Sequence, residues 1–202
     1  MQYKKKTLNK IKIIGGKYKN KIIQFDYLDS KDSNIALRPT SNRARETLFN
    51  WLMHDVSNSS CIDLFPGSGA LSFEAISRGA RHVTLIEMSK SVYNSLLKIQ
   101  QTFPKELDKI NIENNNSLEY INNNNKHTPY NIAFIDPPFD IINTQLISHL
   151  ISKLSDNNYI DQNSLIYIES DKDLENIITT NNLEILKNKK VSSVYIYLCC
   201  MK

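Results

Sequence analysis

Apolar positions along this chain follow two rhythms, and the switch between them predicts the elements. Near the start, Ile11-Lys12-Ile13-Ile14 and Lys21-Ile22-Ile23-Gln24 flank Gly15-Gly16, which predicts a β-hairpin. A polar stretch over 26–35 leads to Arg38-Pro39-Thr40-Ser41. Pro39 disfavours helix just before it, and Thr40, Ser41 or Asn42 is placed to cap the next one. Ala44, Thr47, Leu48, Trp51 and Leu52 then recur at helical spacing, so 43–53 reads as an amphipathic helix.

Beyond Cys61 short apolar runs and helical patterns alternate. Strands are predicted over 61–65, 82–87, 110–113, 131–135, 165–169, 185–189 and 194–200, and helices over 70–78, 89–102, 117–121 and 141–154. Strands alternating with helices through short connections predict an α/β fold with a doubly wound, mostly parallel sheet of seven strands. Two strands in succession at the end predict a C-terminal antiparallel hairpin. The chain divides on this reading into an N-terminal hairpin and helix extension, 1–55, and a main domain, 56–202.

Charge changes the picture of the extension. The whole chain carries a net +4, yet its first 25 residues hold eight lysines and no acid, leaving −4 for the rest. Lys4, Lys5, Lys6, Lys10, Lys12 and Lys17 belong to this basic arm, which suits a phosphate-rich partner through counterion release. No apolar run approaches the roughly 20 residues of a membrane span, and the start lacks the apolar core of a secretory signal. Cys61, Cys199 and Cys200 have no metal-binding spacing and suit a reducing cytoplasm as buried or strand-end thiols.

Two motifs carry chemistry. The first, Asp63-Leu64-Phe65-Pro66-Gly67-Ser68-Gly69-Ala70, joins the first buried strand to a helix. Gly67 and Gly69 allow a tight bend and close approach of a ligand to the backbone. Glu87 closes the next strand, placed to take both hydroxyls of a ribose. Ser72 stands where a dinucleotide fingerprint would have Gly or Ala, and Asp63 would repel a pyrophosphate. An acid there suits a ligand with an ammonium and a sulfonium, which points to S-adenosyl-L-methionine over NAD.

The second motif, Asp136-Pro137-Pro138-Phe139, ends the fourth strand of the alternation. Prolines stop a strand because they offer no N–H to the ladder. First and fourth strands are neighbours at the switch point of a doubly wound sheet, so Asp136 should lie beside the glycine turn. An exocyclic amine is a poor nucleophile because its lone pair is delocalised. Acceptors on its two N–H groups, Asp136 and a backbone carbonyl of Pro137-Pro138, favour a pyramidal nitrogen. Phe139 offers a face for stacking an extruded base. The sulfonium is neutralised as the bond forms, so no metal is required.

With both motifs in view, the chain resembles the bacterial 16S rRNA (guanine(966)-N(2))-methyltransferase family. The resemblance runs from Ile11 to Gly16, through Leu37-Arg38-Pro39-Thr40-Ser41-Asn42-Arg43-Ala44-Arg45-Glu46-Thr47-Leu48-Phe49-Asn50-Trp51-Leu52, to the glycine turn, Leu85-Ile86-Glu87 and Asp136-Pro137-Pro138-Phe139. It implies a Rossmann-like class I methyltransferase fold, and methylation of a guanine N2 in 16S ribosomal RNA or the assembled small subunit, by a cytoplasmic monomer. By position it puts Asp63, Phe65, Gly67, Ser68 and Gly69 around the methionine half of the cofactor, Glu87 on the ribose, and Asn116 and Ser117 near the adenine. Arg38, Thr40, Arg43 and Arg45 would fall on a segment folded over the site, facing RNA. Pro66 and Ser72 depart from the family's usual Ala and Gly.

Rival readings are a DNA adenine N6- or protein glutamine N5-methyltransferase sharing the Pro-Pro turn, an NAD-dependent dehydrogenase, and a non-catalytic RNA-binding module. The basic arm disfavours the protein substrate, Asp63 disfavours NAD, and an intact Asp136 with its glycine turn disfavours the module.

Overall fold

The computed structural model describes residues 8–26, 41–126 and 128–202. Lys4, Lys5, Lys6, Arg38 and Thr40 lie outside the described residues. The basic hairpin pairs β1 (Leu8–Lys12) with β2 (Ile22–Asp26), in a register that sets Ile11 against Ile23. Helix α1 (Asn42–Trp51) follows, with Ser41 as its cap accepting the Ala44 N–H at 3.1 Å. Strands and helices then alternate as the apolar rhythm predicts: β3 (Ser60–Asp63), α2 (Ala70–Ser77), β4 (His82–Ile86), α3 (Lys90–Gln100), β5 (Ile110–Glu113), α4 (Ser117–Ile121), β6 (Ile132–Ile135), α5 (Thr144–Asp156) and β7 (Leu165–Ser170). The chain ends with a short α6 (Glu175–Thr180), then β8 (Leu183–Val191) and β9 (Val194–Met201).

Seven strands form one sheet in the order β5-β4-β3-β6-β7-β9-β8. The five strands from β5 to β7 are parallel, while β9 runs antiparallel between β7 and β8. This is the mixed, doubly wound sheet expected. Its central strands are buried on both faces, as all-parallel strands require. Cys61, Phe134, Tyr167 and Leu198 face α1, α2, α3 and the apolar side of the hairpin, while Ile62, Ala133, Ile168 and Tyr197 face α4, α5 and α6. No helix among the described residues is long and apolar enough to cross a membrane.

Three differences from the sequence reading have local causes. Helix α5 starts at Thr144, not at 141, because the Ile141 and Ile142 amides are drawn back to the Pro138 carbonyl and Asn143 caps the helix instead. Helix α6 was not predicted; its six residues include two threonines and an asparagine, and only Ile178 is buried. Strand β8 is longer than expected and shifts register between Ile185 and Lys187.

Gly15-Gly16 serves a purpose beyond a strand turn. The Lys17 N–H donates to the Ser77 carbonyl at 2.6 Å, capping α2, and a Cβ on Gly16 would lie 1.9 Å from that oxygen. Glu74, fully buried on α2, accepts the Ile14 and Gly15 N–H groups at 2.8 Å each and Arg78 Nε at 2.8 Å. On the outer side Glu106 accepts Lys17 Nζ at 2.5 Å, Lys109 Nζ at 2.7 Å and Tyr18 Oη at 3.1 Å. The Tyr18 ring meets Phe103 edge-on, and Phe103 stacks on Phe73. The extension is thus fastened to α2, the helix that leaves the glycine turn.

Candidate functional site

Parallel strands end at one edge of a sheet, and here β3, β4, β6 and β7 bring their carboxyl ends together. After β3 the chain bends through Pro66 to Gly69, with the Gly69 N–H donating to the Pro66 carbonyl at 2.6 Å. Gly69 caps α2 in the left-handed region (φ 75°), where a Cβ would come within 2.4 Å of the Phe73 ring. Ser68 and Gly69 are buried and Gly67 is half-buried. Asp63 lies beneath this turn, 1% exposed. Its carboxylate accepts Ser72 Oγ at 2.6 Å and the Phe65 N–H at 3.3 Å. Burial raises its pKa to about 7, partly countered by those hydrogen bonds, with the charges of Asp136 and Glu87 adding to the rise. Ser72, a departure from the family pattern, therefore has a defined partner. That bond is visible only once α2 folds back over β3.

Glu87 follows β4 and reaches toward the turn. Its carboxylate accepts the Ser89 N–H at 2.7 Å and the Gly67 N–H, while burial pushes its pKa up to about 7. Asn116 caps α4 by accepting the Leu118 N–H at 2.8 Å, and its Nδ2 approaches Met88 Sδ at 3.4 Å. Ser117 is buried, and its hydroxyl donates to the Leu64 carbonyl. Ser117 thus ties α4 to the end of β3, and Phe65 is half-buried against the second core layer.

Strand β6 pairs with β3, setting Phe134 opposite Asp63, so Asp136 leaves the sheet beside the glycine turn. Pro137 is buried, while Asp136, Pro138 and Phe139 are half-buried. The Pro138 carbonyl accepts the Ile141 and Ile142 amides at 3.1 and 3.2 Å.

Two side chains at this edge escaped the sequence reading. Glu169, near the end of β7, is 4% exposed and accepts Tyr167 Oη at 2.6 Å. Burial first, and Asp136 second, push its pKa up to about 8. The available signal was a lone acid inside the apolar run Leu165-Ile166-Tyr167-Ile168-Glu169.

The residues expected to meet RNA divide. Lys10 and Lys12 are exposed on the side of β1 opposite Ile11, and Arg43 is exposed on α1. Lys17 is exposed but paired with Glu106. Arg45 is a correction. Together with Leu48, Phe49 and Leu52 it completes the buried stripe of α1, fully inaccessible, and its Nη2 donates to the Lys12 carbonyl at 2.7 Å and Asn42 Oδ1 at 2.8 Å. Among the described residues its Nε and Nη1 have no hydrogen-bond partner. Its place on the helix makes Arg45 a strut between α1 and the hairpin instead of an RNA contact.

A sheet of this order, with a glycine turn after β3, an acid after β4 and Asp-Pro-Pro-Phe after β6, defines the Rossmann-like class I methyltransferase fold. The chain belongs to the family described as Conserved hypothetical protein 95, whose model matches residues 11–199. It is similar to Ribosomal RNA small subunit methyltransferase D of Haemophilus influenzae, 41% identical over 158 residues, spanning 78% of this chain and 80% of that protein. The protein of the same name from Buchnera aphidicola subsp. Baizongia pistaciae is 40% identical over 188 residues, spanning 93% and 89%. A solved structure from Escherichia coli, described as a candidate methyltransferase, superposes with a TM-score of 0.81 at 34% identity over 96% of this chain and 99% of that one. The family resemblance read from the sequence holds.

Proposed function

We infer that this protein transfers a methyl group from S-adenosyl-L-methionine to the exocyclic N2 of a guanine in 16S ribosomal RNA. The observation that carries this reading is the pairing of β3 with β6, which sets the Asp136-Pro137-Pro138-Phe139 turn beside the glycine turn. The names of the similar proteins support ribosomal RNA of the small subunit as the substrate class.

The residues present fit the cofactor. Asp63 feels the charges of Asp136 and Glu87 at this edge, and burial raises the pKa values of both Asp63 and Glu87. Such a site favours a cationic nucleoside and disfavours a pyrophosphate. When bound, S-adenosyl-L-methionine supplies a methyl group activated by its sulfonium charge. Phe65, Gly67, Ser68 and Gly69 would line its methionine half, with Asp63 holding the turn and contributing negative potential from below. Glu87 would take the ribose hydroxyls, and Asn116 with Ser117 would bound the adenine.

Asp136 accepts one N–H of the target amine. The Pro138 carbonyl is occupied by Ile141 and Ile142, so the second acceptor is the Pro137 carbonyl. Phe139 stacks on the extruded base, typically contributing about 1–3 kcal/mol. Holding amine and methyl donor in line supplies much of the acceleration. Lys10, Lys12 and Arg43, with Lys4, Lys5, Lys6, Arg38 and Thr40 from the same region of sequence, meet RNA phosphates. Residues 1–55 serve as the RNA-binding extension and 56–202 as the catalytic domain of a monomer acting in the cytoplasm.

The test is methyl transfer to unmethylated small subunits or 16S RNA, with the product located by mass spectrometry. Asp136→Ala should abolish transfer while leaving cofactor affinity within about tenfold. Turnover retained by Asp136→Ala would exclude its role, and label on adenine N6 or on a protein glutamine would favour the rival substrates.

A further inference from the structure

Strand β8 lies at the end of the seven-stranded sheet, beyond β7 and β9. Its charge is polarised. Glu184 stands near the start, while Lys187, Lys189 and Lys190 crowd the second half, all exposed. That half runs toward the site. Lys190 pairs with Tyr195, which pairs with Ser170 at the end of β7, and Lys189 is level with Ile196 and Glu169 in the same way. Because Ile168 is level with Ile135 on β6, Lys189 reaches the height at which Asp136 leaves the sheet. Three strand spacings of about 4.8 Å put β8 roughly 14 Å from β6, the rise of about four nucleotides.

The face these lysines take is set by the register shift at Leu186. Ile185 stands opposite Cys199, so an unbroken ladder would put Lys187 opposite Tyr197 and Lys189 opposite Tyr195, on the side of α5 and α6. The extra residue instead sets Lys187 opposite Leu198 and Lys189 opposite Ile196, on the side of α1 and the basic hairpin. Helix α1 packs against β8 and β9, and its Arg45 holds the Lys12 carbonyl of β1. One side of the sheet therefore carries Lys10 and Lys12 of β1, Arg43 of α1, and Lys187 and Lys189 of β8, against Glu46 as the exposed acid of α1. No acid among the described residues forms an ion pair with Lys187 or Lys189. Lys190, on the other face, is engaged, its Nζ donating to Tyr195 Oη at 2.9 Å. Lysines on an edge strand also discourage pairing with another chain. Such a guard needs charge of either sign on either face; one sign gathered on one face, at the end nearest the site, suits a polyanion.

On the basis of the ribosomal RNA substrate proposed above, we propose that Lys187 and Lys189 form a second phosphate-binding surface, which holds the RNA flanking the target guanine on the β7 side of the site. The basic contacts with RNA then run from the hairpin across α1 to the C-terminal strands.

The test is binding of naked 16S RNA, and separately of unmethylated small subunits, as a function of salt. Replacing Lys187 and Lys189 together with alanine should reduce the slope of log K against log salt by about 1.4–1.8 and weaken binding about tenfold near physiological salt. KM for RNA should rise, while calorimetric affinity for S-adenosyl-L-methionine stays within about twofold. Lys190→Ala removes the same charge from the opposite face and should change the slope by less than half as much as Lys189→Ala. An equal change would show that net charge alone is felt, and would overturn the proposal. Replacing both lysines with glutamate keeps the strand edge charged, so a guard would survive, yet RNA binding should fall further than in the alanine pair. Undiminished RNA affinity in the glutamate pair, or self-association of the alanine pair at an unchanged slope, would leave edge protection as the role and refute phosphate binding. Binding lost to subunits but kept to naked RNA would assign the lysines to an acidic protein surface, again against the proposal. Slopes that fall as expected in a protein that methylates no RNA would sink the functional reading alone. Guanine N2 methylation with the slope unmoved would sink this surface alone. Thermal melting of each variant reports whether it is folded.

Discussion

Glu74 is the residue whose loss should most clearly expose how the basic hairpin is held. It is fully buried on α2, and its two oxygens take the Ile14 N–H, the Gly15 N–H and Arg78 Nε, all at 2.8 Å. Hydrogen bonds to a charged group contribute about 1.5–3 kcal/mol each, and removing one partner of a buried charge pair costs about 3–5 kcal/mol. Glu74→Ala strands two backbone donors and the Arg78 guanidinium at once. The three bonds do not simply add, because the hairpin end can lift and let water in, so a loss of about 3–5 kcal/mol is expected. For a chain of this size that corresponds to roughly 6–20 °C in Tm, at about 2–4 °C per kcal/mol. Glu74→Gln keeps one acceptor but points its own N–H groups at donors, and should lie between the two. Urea unfolding followed through Trp51, the sole tryptophan, gives the free energy. Hydrogen exchange at Ile11 and Ile13 distinguishes local lifting of the hairpin from global unfolding. A Glu74→Ala loss below about 1 kcal/mol, with exchange at those amides unchanged, would show that apolar packing alone docks the hairpin.

Two further outcomes follow from the charges. Asp63 and Glu87 have folded pKa values near 7, above their ordinary 3.8 and 4.5, so the stability linked to their neutral forms is present at low pH and lost as pH rises through about 7. The protein alone should melt at lower temperature at pH 8 than at pH 6, while calorimetry should show S-adenosyl-L-methionine binding more tightly across the same interval; weaker binding at pH 8 would contradict the proposed pairing of acids with a cation. Replacing Lys10 and Lys12 with alanine should weaken RNA binding and reduce the slope of log K against log salt by about 0.7–0.9 per lysine; an unaltered slope would remove this face of β1 from the interface.

Several features were legible because they depend on near neighbours in the chain. Strand and helix alternation follows from local apolar period, and the boundaries of β5 and α4 match the expected residues. The adjacency of the glycine turn and Asp136 was also readable, because a parallel, right-handed winding leaves few places for a first and fourth strand. Other features depend on residues far apart in sequence. Arg45 reads as a surface arginine by type, yet its position at the head of the stripe with Leu48, Phe49 and Leu52 buries it under the hairpin. Asp63 reads as an open ligand contact, yet Ser72 from α2 and the Phe65 amide engage it.

The amino-acid order by itself determined the class of fold, the place of the glycine turn and the identity of the acid at the end of β6, because periodicity, glycine and proline act over a few residues at a time. Tertiary structure alone decided which charges are held and which are offered. Glu74 was committed to Ile14 and Gly15, Lys17 to Glu106 and Glu169 to a place beside Asp136 by chain segments that meet only when the sheet closes. Burial then shifted the proton equilibria of the site, since a carboxylate withdrawn from water and set near another loses the solvation that keeps it charged.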